Sequence, residues 1–296
     1  MIGTLTKRLK KILAWRLSES TKVLLYHVWQ ALYDYRLSVL PVEYQSDVEN
    51  IFHCTVNKAG SQWIRAILYD PVVYRYSGLK PYFPRVKGVE TRSYWECSYA
   101  QGFMLRRIIT PVYIMYDKFR VMPKPEKFKA FFVMRDPRDI TVSYYFSLAY
   151  THTPIGDVPK KRRILNDLDL KRGLIWTIQH LKEIGLYDAL RSWRFAAKED
   201  SRILVVRLED LSGPNKVEVF GNLFEHCDIR LPEAELKALL DRYSFEVMKK
   251  RDHRQAKNIS HYRSGKPGDW RKYFDNEVAN AFKQYTEDLV EYLGYD

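Results

Sequence analysis

Four short apolar runs, with helical patterns lying between and after them, constrain this chain more than any other feature. They fall at 51–56, 111–116, 130–134 and 203–208 and are rich in β-branched or aromatic residues. Each is too short for a typical helix and has the composition of a buried strand. Helical periodicity follows at 61–69, 139–150, 170–198, 217–227, 232–243 and 277–292, with Gly185 interrupting the longest and Asp275 suited to cap the last. Strands that alternate with helices specify a parallel sheet covered on both faces. The prediction is a single α/β domain over 1–296, with a central parallel sheet of about five strands flanked by helices. Residues 1–48 are expected to form an N-terminal helical extension. In such sheets ligands bind where the strands end, so the residues just after each run carry the functional question.

Charge narrows the ligands without choosing one. Lysine and arginine total 49 against 36 acids, a formal charge of +13, which favours nucleic acid, an anionic membrane face or a phosphorylated small molecule. Cys54, Cys97 and Cys227 are scattered, with no CxxC pair, which points to reduced thiols in the cytoplasm and away from a disulfide framework or metal cluster. No stretch reaches the ~18 apolar residues of a membrane span, and no signal peptide is read at the N-terminus. Residues 1–17 place Leu5, Leu9, Ile12 and Leu13 at helical spacing among Lys7, Arg8, Lys10 and Lys11. This pattern suits a domain-packing helix or a peripheral membrane contact.

The first run ends in Asn57-Lys58-Ala59-Gly60-Ser61-Gln62-Trp63. A strand, a glycine-bearing loop and a helix start in that order make an anion cradle, because the first helical amides lack internal partners and the dipole favours negative charge. Lys58 adds a cation and Gly60 allows close backbone approach. The same order of elements also occurs without a ligand. The nucleotide-kinase pattern GxxxxGK[ST] is absent, with Ala59 where a Mg²⁺-holding hydroxyl would follow the lysine.

The third run ends in Met134-Arg135-Asp136-Pro137-Arg138-Asp139, and Ser143 follows on the next helix. Pro137 suits a first helical turn. Arg135 emerges at the ligand edge, where its fork of charged donors and the Ser143 hydroxyl can converge on one phosphate. Alone, the pattern also fits an Arg–Asp surface pair beside a satisfied helix serine.

Taken together, these segments resemble the cytosolic sulfotransferase family. Residues 58–63 resemble its 5′-phosphosulfate loop, Arg135 with Ser143 its 3′-phosphate motif, and Tyr262-Arg263-Ser264-Gly265-Lys266-Pro267-Gly268-Asp269-Trp270-Arg271 its RKGxxGDWK segment. Leu208-Glu209-Asp210-Leu211 and Tyr243-Ser244-Phe245 stand in the expected order, so the likeness runs from about Ile51 to the C-terminus. It implies a P-loop-like sulfotransferase fold and in-line, metal-free transfer of a sulfuryl group from PAPS (3′-phosphoadenosine-5′-phosphosulfate) to a hydroxyl or amine, with PAP as leaving group. It further implies that Lys58 meets the bridging oxygen and that Gly60, Ser61 and Gln62 hold the 5′-phosphate. Trp63 and Phe245 would flank adenine, while Arg135, Ser143, Arg263, Ser264 and Gly265 would hold the 3′-phosphate.

Two positions depart from the family pattern. Ser264 replaces the lysine of RKG, and no histidine lies at 114–117, where the family's lysine-threonine-histidine is expected. His152 and Asp117 are the candidate bases: an imidazole of pKa ~6.5 suits neutral pH, while an aspartate of pKa ~3.9 needs burial to act. His53, inside a strand, reads as core. The acceptor pocket is expected from 74–99, 144–159 and the helices after 170. Its aromatic residues, with Arg85, Lys87, Arg92 and the 160–163 basic run, suit a small, aromatic or lipid-like acceptor and no specific nucleic acid. A monomer or homodimer is expected. The rival readings are a kinase-like phosphotransferase and a catalytically inactive, basic polyanion- or membrane-binding protein.

Overall fold

The computed structural model describes residues 19–84, 93–99, 102–154, 156–253 and 266–295. Residues 1–42 and 43–296 form two compact units. In the first, helix Glu19–Ser38 leaves Leu24, Leu25, Val28, Leu32 and Tyr35 exposed. The indole of Trp29 stacks on Tyr33 with ring centres 5.5 Å apart.

The second unit is built on five parallel strands: β1 (Asn50–Thr55), β2 (Lys80–Tyr82), β3 (Arg107–Tyr113), β4 (Phe128–Met134) and β5 (Ile203–Arg207), ordered β2-β3-β1-β4-β5. Alternate side chains serve opposite faces. Phe52, Cys54, Ala130 and Phe132 join one core cluster, while Ile51, Phe131 and Val133 join the other. Burial on both faces explains why these strands read as continuous apolar runs rather than alternating ones. On the first face Trp193 stacks on Phe132 at 4.7 Å.

The expected strand at 111–116 lies earlier, at Arg107–Tyr113, because its ladder with β1 runs from Asn50↔Arg107 to Thr55↔Tyr113. Beyond Tyr113 the backbone is claimed by side chains: Trp193 Nε1 donates to the Ile114 carbonyl at 2.9 Å, and the Tyr116 amide donates to Ser192 Oγ at 3.0 Å. Asp117, expected at the end of that strand, therefore lies in the first turn of helix Tyr116–Val121 and is exposed. The short edge strand β2 has no counterpart among the four runs. The predicted helix at 139–150 starts at Pro137, capped by Asp136, and its end widens into a π turn at Ser147–Thr151. The stretch 170–198 breaks at Gly185, whose φ of 73° opens the next helix. The 277–292 helix divides at Glu287, φ 57°, and Asp275 caps its first half by accepting from the Val278 amide.

Candidate active site

The carboxyl ends of β1 and β4 are adjacent, and the chain uses them to build one loop cluster. After β1, Lys58 adopts φ 69° and Gly60 φ 78° before helix Ser61–Leu68 begins. A left-handed lysine costs of order 1 kcal/mol and persists only where its surroundings hold it. Two contacts do so. The Arg135 guanidinium, just past β4, donates to the Lys58 carbonyl at 2.8 Å. On the other side the buried Tyr94 hydroxyl accepts from the Asn57 amide at 2.8 Å and donates to the Asn57 side chain at 2.7 Å. At φ 78° a larger residue would be strained at Gly60, and a methyl group built there would lie 2.6 Å from Leu208 Cδ1, so that side chain would have to shift.

The helix start is equally fixed. Ser61 is buried, and its hydroxyl shares a 2.8 Å hydrogen bond with the Tyr113 hydroxyl at the end of β3. Gln62 is exposed beside it. Trp63 is half-buried and donates from Nε1 to the Tyr243 carbonyl at 2.7 Å. That bond brings the segment leading into helix Phe245–His253, and with it Phe245, toward the same loop.

The opposite end is organised by Asp139, which no sequence pattern singled out. Its buried carboxylate accepts from the Gly268 amide at 2.8 Å and the Trp270 amide at 2.9 Å, fastening the C-terminal segment to helix Pro137–Phe146. The Arg138 guanidinium carbon lies over the Trp270 ring, 3.9 Å from its centre. Burial pushes the Asp139 carboxyl above its ordinary value, opposed by the charge of Arg135 and by the two amides. Ser143 stands one turn beyond Asp139 and so shares its helix face. Arg135 lies near enough for its charge to act on the Asp139 carboxyl, while Arg263, Ser264 and Gly265 lie outside the described residues. Glu209 supports the floor, accepting from the Asp136 amide at 3.0 Å and from the Tyr295 hydroxyl at 3.2 Å.

The two candidate bases sit differently. His152 ends the π turn, with Nδ1 3.0 Å from the Thr153 carbonyl, and its own carbonyl accepts from Arg162 at 2.6 Å. Two cations of the 160–163 run are thus tied internally, Arg162 to this turn and Lys161 to Asp157 at 2.6 Å. His53 is fully buried, stacked on Phe131 at 4.9 Å, and burial lowers its pKa to about 3, so it is a neutral core residue. Arg85, Lys87 and Arg92 lie outside the described residues. Tyr94, Tyr99 and Tyr144 are all held as neutral phenols by burial, the last pushed up to about 12.

Comparison with known proteins bears on the family and the fold. A family model described as a sulfotransferase domain matches residues 49–294. Sulfotransferase 2A2 of Mus musculus is 25% identical, covering 82% of this chain and 84% of its own. The 3-beta-hydroxysteroid sulfotransferase of Cavia porcellus is 24% identical over 82% and 85%. Among solved structures, mouse sulfotransferase SULT7A1 complexed with PAP superposes with a TM-score of 0.58 at 18% identity, covering 83% of this chain and 86% of that one. Retinol dehydratase in a complex with retinol and PAP gives 0.52 at 14% identity, over 83% and 82%.

Proposed function

Because the chain belongs to the sulfotransferase family, we propose that its loop cluster binds PAPS and passes the sulfuryl group to a hydroxyl on a small, largely apolar acceptor. The observation that carries this reading is the hydrogen bond from Arg135 to the Lys58 carbonyl. It joins a 5′-phosphosulfate loop to a 3′-phosphate site across two neighbouring strands. Lys58 then offers charge to the bridging oxygen as negative charge develops on the leaving PAP, the kind of contact that lowers a barrier. Gly60, Ser61 and Gln62 hold the 5′-phosphate, Trp63 and Phe245 flank adenine, and Arg135, Ser143, Arg263, Ser264 and Gly265 hold the 3′-phosphate. His152 and Asp117 are the bases that residue type suggests.

The neutral phenols of Tyr94, Tyr99 and Tyr144 suit an uncharged acceptor with an aromatic or lipid-like body. Two of the compared proteins carry names that include a hydroxysteroid and retinol, both alcohols of that kind. The reading is of a cytoplasmic monomer or homodimer in which residues 1–17 serve as a domain-packing helix or a peripheral membrane contact. Among the described residues no helix is long and apolar enough to cross a membrane.

The test is thermal stabilisation by PAP against ADP, in wild type and in Arg135→Ala and Ser143→Ala. PAP at ~100 times its dissociation constant adds about 2.7 kcal/mol. The expected result is strong stabilisation by PAP, little by ADP, and loss of the difference in both variants. Stabilisation by ATP with Mg²⁺ and none by PAP would favour the phosphotransferase reading instead.

A further inference from the structure

Tyr113 is the last residue of β3, and its hydroxyl lies 2.8 Å from the hydroxyl of Ser61, where the phosphate loop enters its helix. It is half-buried, whereas Ser61 is buried beneath it. Thr55, the last residue of β1, is its ladder partner, so Tyr113 stands at the same sheet edge as the loop bearing Lys58. Two further phenols surround it: Tyr99 bonds its backbone, and Tyr94, which holds Asn57, lies close by. Both are kept neutral by burial.

We propose that Tyr113 is the catalytic residue that takes up the acceptor's proton, passing its own proton on to Ser61. The proposal rests on the reading of the site as a PAPS site. A phenol is a poor base when it must stand ionised at neutral pH, but a relay never requires that. The acceptor oxygen bonds to sulfur as the bond from sulfur to the bridging phosphate oxygen breaks, and that electron pair leaves with PAP. The acceptor's proton moves to Tyr113 Oη, the Tyr113 proton to Ser61 Oγ, and the Ser61 proton to an oxygen of the departing 5′-phosphate. One proton is gained and one lost at each hydroxyl, so both end as they began. No outside base is consumed.

The experiment compares wild type with Tyr113→Phe, which keeps the ring and removes the hydroxyl, and with Tyr113→His. Three readouts are taken: PAP stabilisation, transfer to an alkyl alcohol such as a hydroxysteroid or retinol, and transfer to p-nitrophenol at a pH where it is already ionised. General acid–base contributions run to roughly 10²–10⁴-fold. Tyr113→Phe is therefore expected to lose about 100-fold on the alcohol, within a few-fold of wild type on the phenolate, with PAP stabilisation intact. Tyr113→His is expected to restore alcohol transfer with a rate that rises through pH ~6.5, where an imidazole loses its proton. Equal losses on both acceptors, or full alcohol transfer by Tyr113→Phe, would overturn the relay; the second result would return the role to His152 or Asp117. A wild-type enzyme that binds PAP yet sulfates only the phenolate would overturn it too. If PAP fails to stabilise the wild type, the underlying PAPS reading is what fails.

Discussion

Asp139 shows how much a single carboxylate can organise. Asparagine there keeps one acceptor oxygen but turns an NH₂ toward the second backbone amide, and a buried donor left unpaired costs about 1–3 kcal/mol. Asp139→Asn is therefore expected to fold but to weaken PAP binding tenfold or more, with faster amide exchange at 266–272; unchanged PAP affinity would show that the fastening is not needed for the site. Its role was not legible in the sequence, because its partners Gly268 and Trp270 lie 129 and 131 residues away. Lys58, Gly60 and Arg135 were legible because their chemistry is local: a strand end, a tight loop and a helix start lie within a few residues. Tyr113 and Tyr94 were missed for the same reason as Asp139. Their hydroxyls meet Ser61 and Asn57 only after 52 and 37 residues of intervening chain have folded back.

At the scale of elements, buried strands and amphipathic helices announced themselves, and the errors fell where tertiary contacts override pattern. The 111–116 run is as apolar as a strand, yet the Trp193 and Ser192 side chains take its backbone groups and end the ladder at Tyr113. The three residues of β2, Lys80–Tyr82, are too few to show any periodicity, and Pro81 among them is tolerated because β2 is an edge strand. Helix Glu19–Ser38 carries its own prediction. Leu24, Val28, Leu32 and Tyr35 recur at helical spacing and stand exposed, directly after the basic residues of 1–17. Leu24→Glu with Leu32→Glu is expected to reduce cosedimentation with anionic vesicles severalfold while leaving PAP stabilisation unchanged. Equal cosedimentation would show that this exposed face takes no part in membrane contact.

At the scale of the whole molecule, the acid response is shaped, among the described residues, by the buried His53 and His180, with the half-buried His226 lowered by burial in the same sense. Burial lowers His53 to about 3 and His180 to about 4, against ~6.5 in an unfolded chain. Below pH 6.5 the unfolded state thus takes up protons that the folded state refuses, and stability falls as pH falls toward those lower values. The ceiling is about 1.4 kcal/mol per pH unit per histidine. Asp139 and Glu209 act in the opposite sense, since burial raises both carboxyls, but only nearer the carboxylate range. Urea unfolding at pH 7, 6 and 5 is expected to show a steady loss that His53→Leu makes shallower; a flat profile would mean that His53 is not held neutral. The clasp between Arg135 and the Lys58 carbonyl has a consequence for substrate choice. In the proposed PAPS site one guanidinium would answer to both ends of the nucleotide, so that filling the 3′ end and placing the lysine become linked equilibria. Adenosine 5′-phosphosulfate, which lacks the 3′-phosphate, should then be penalised in turnover as well as in affinity, because an enzyme that has bound it still holds its lysine in the posture of an empty site.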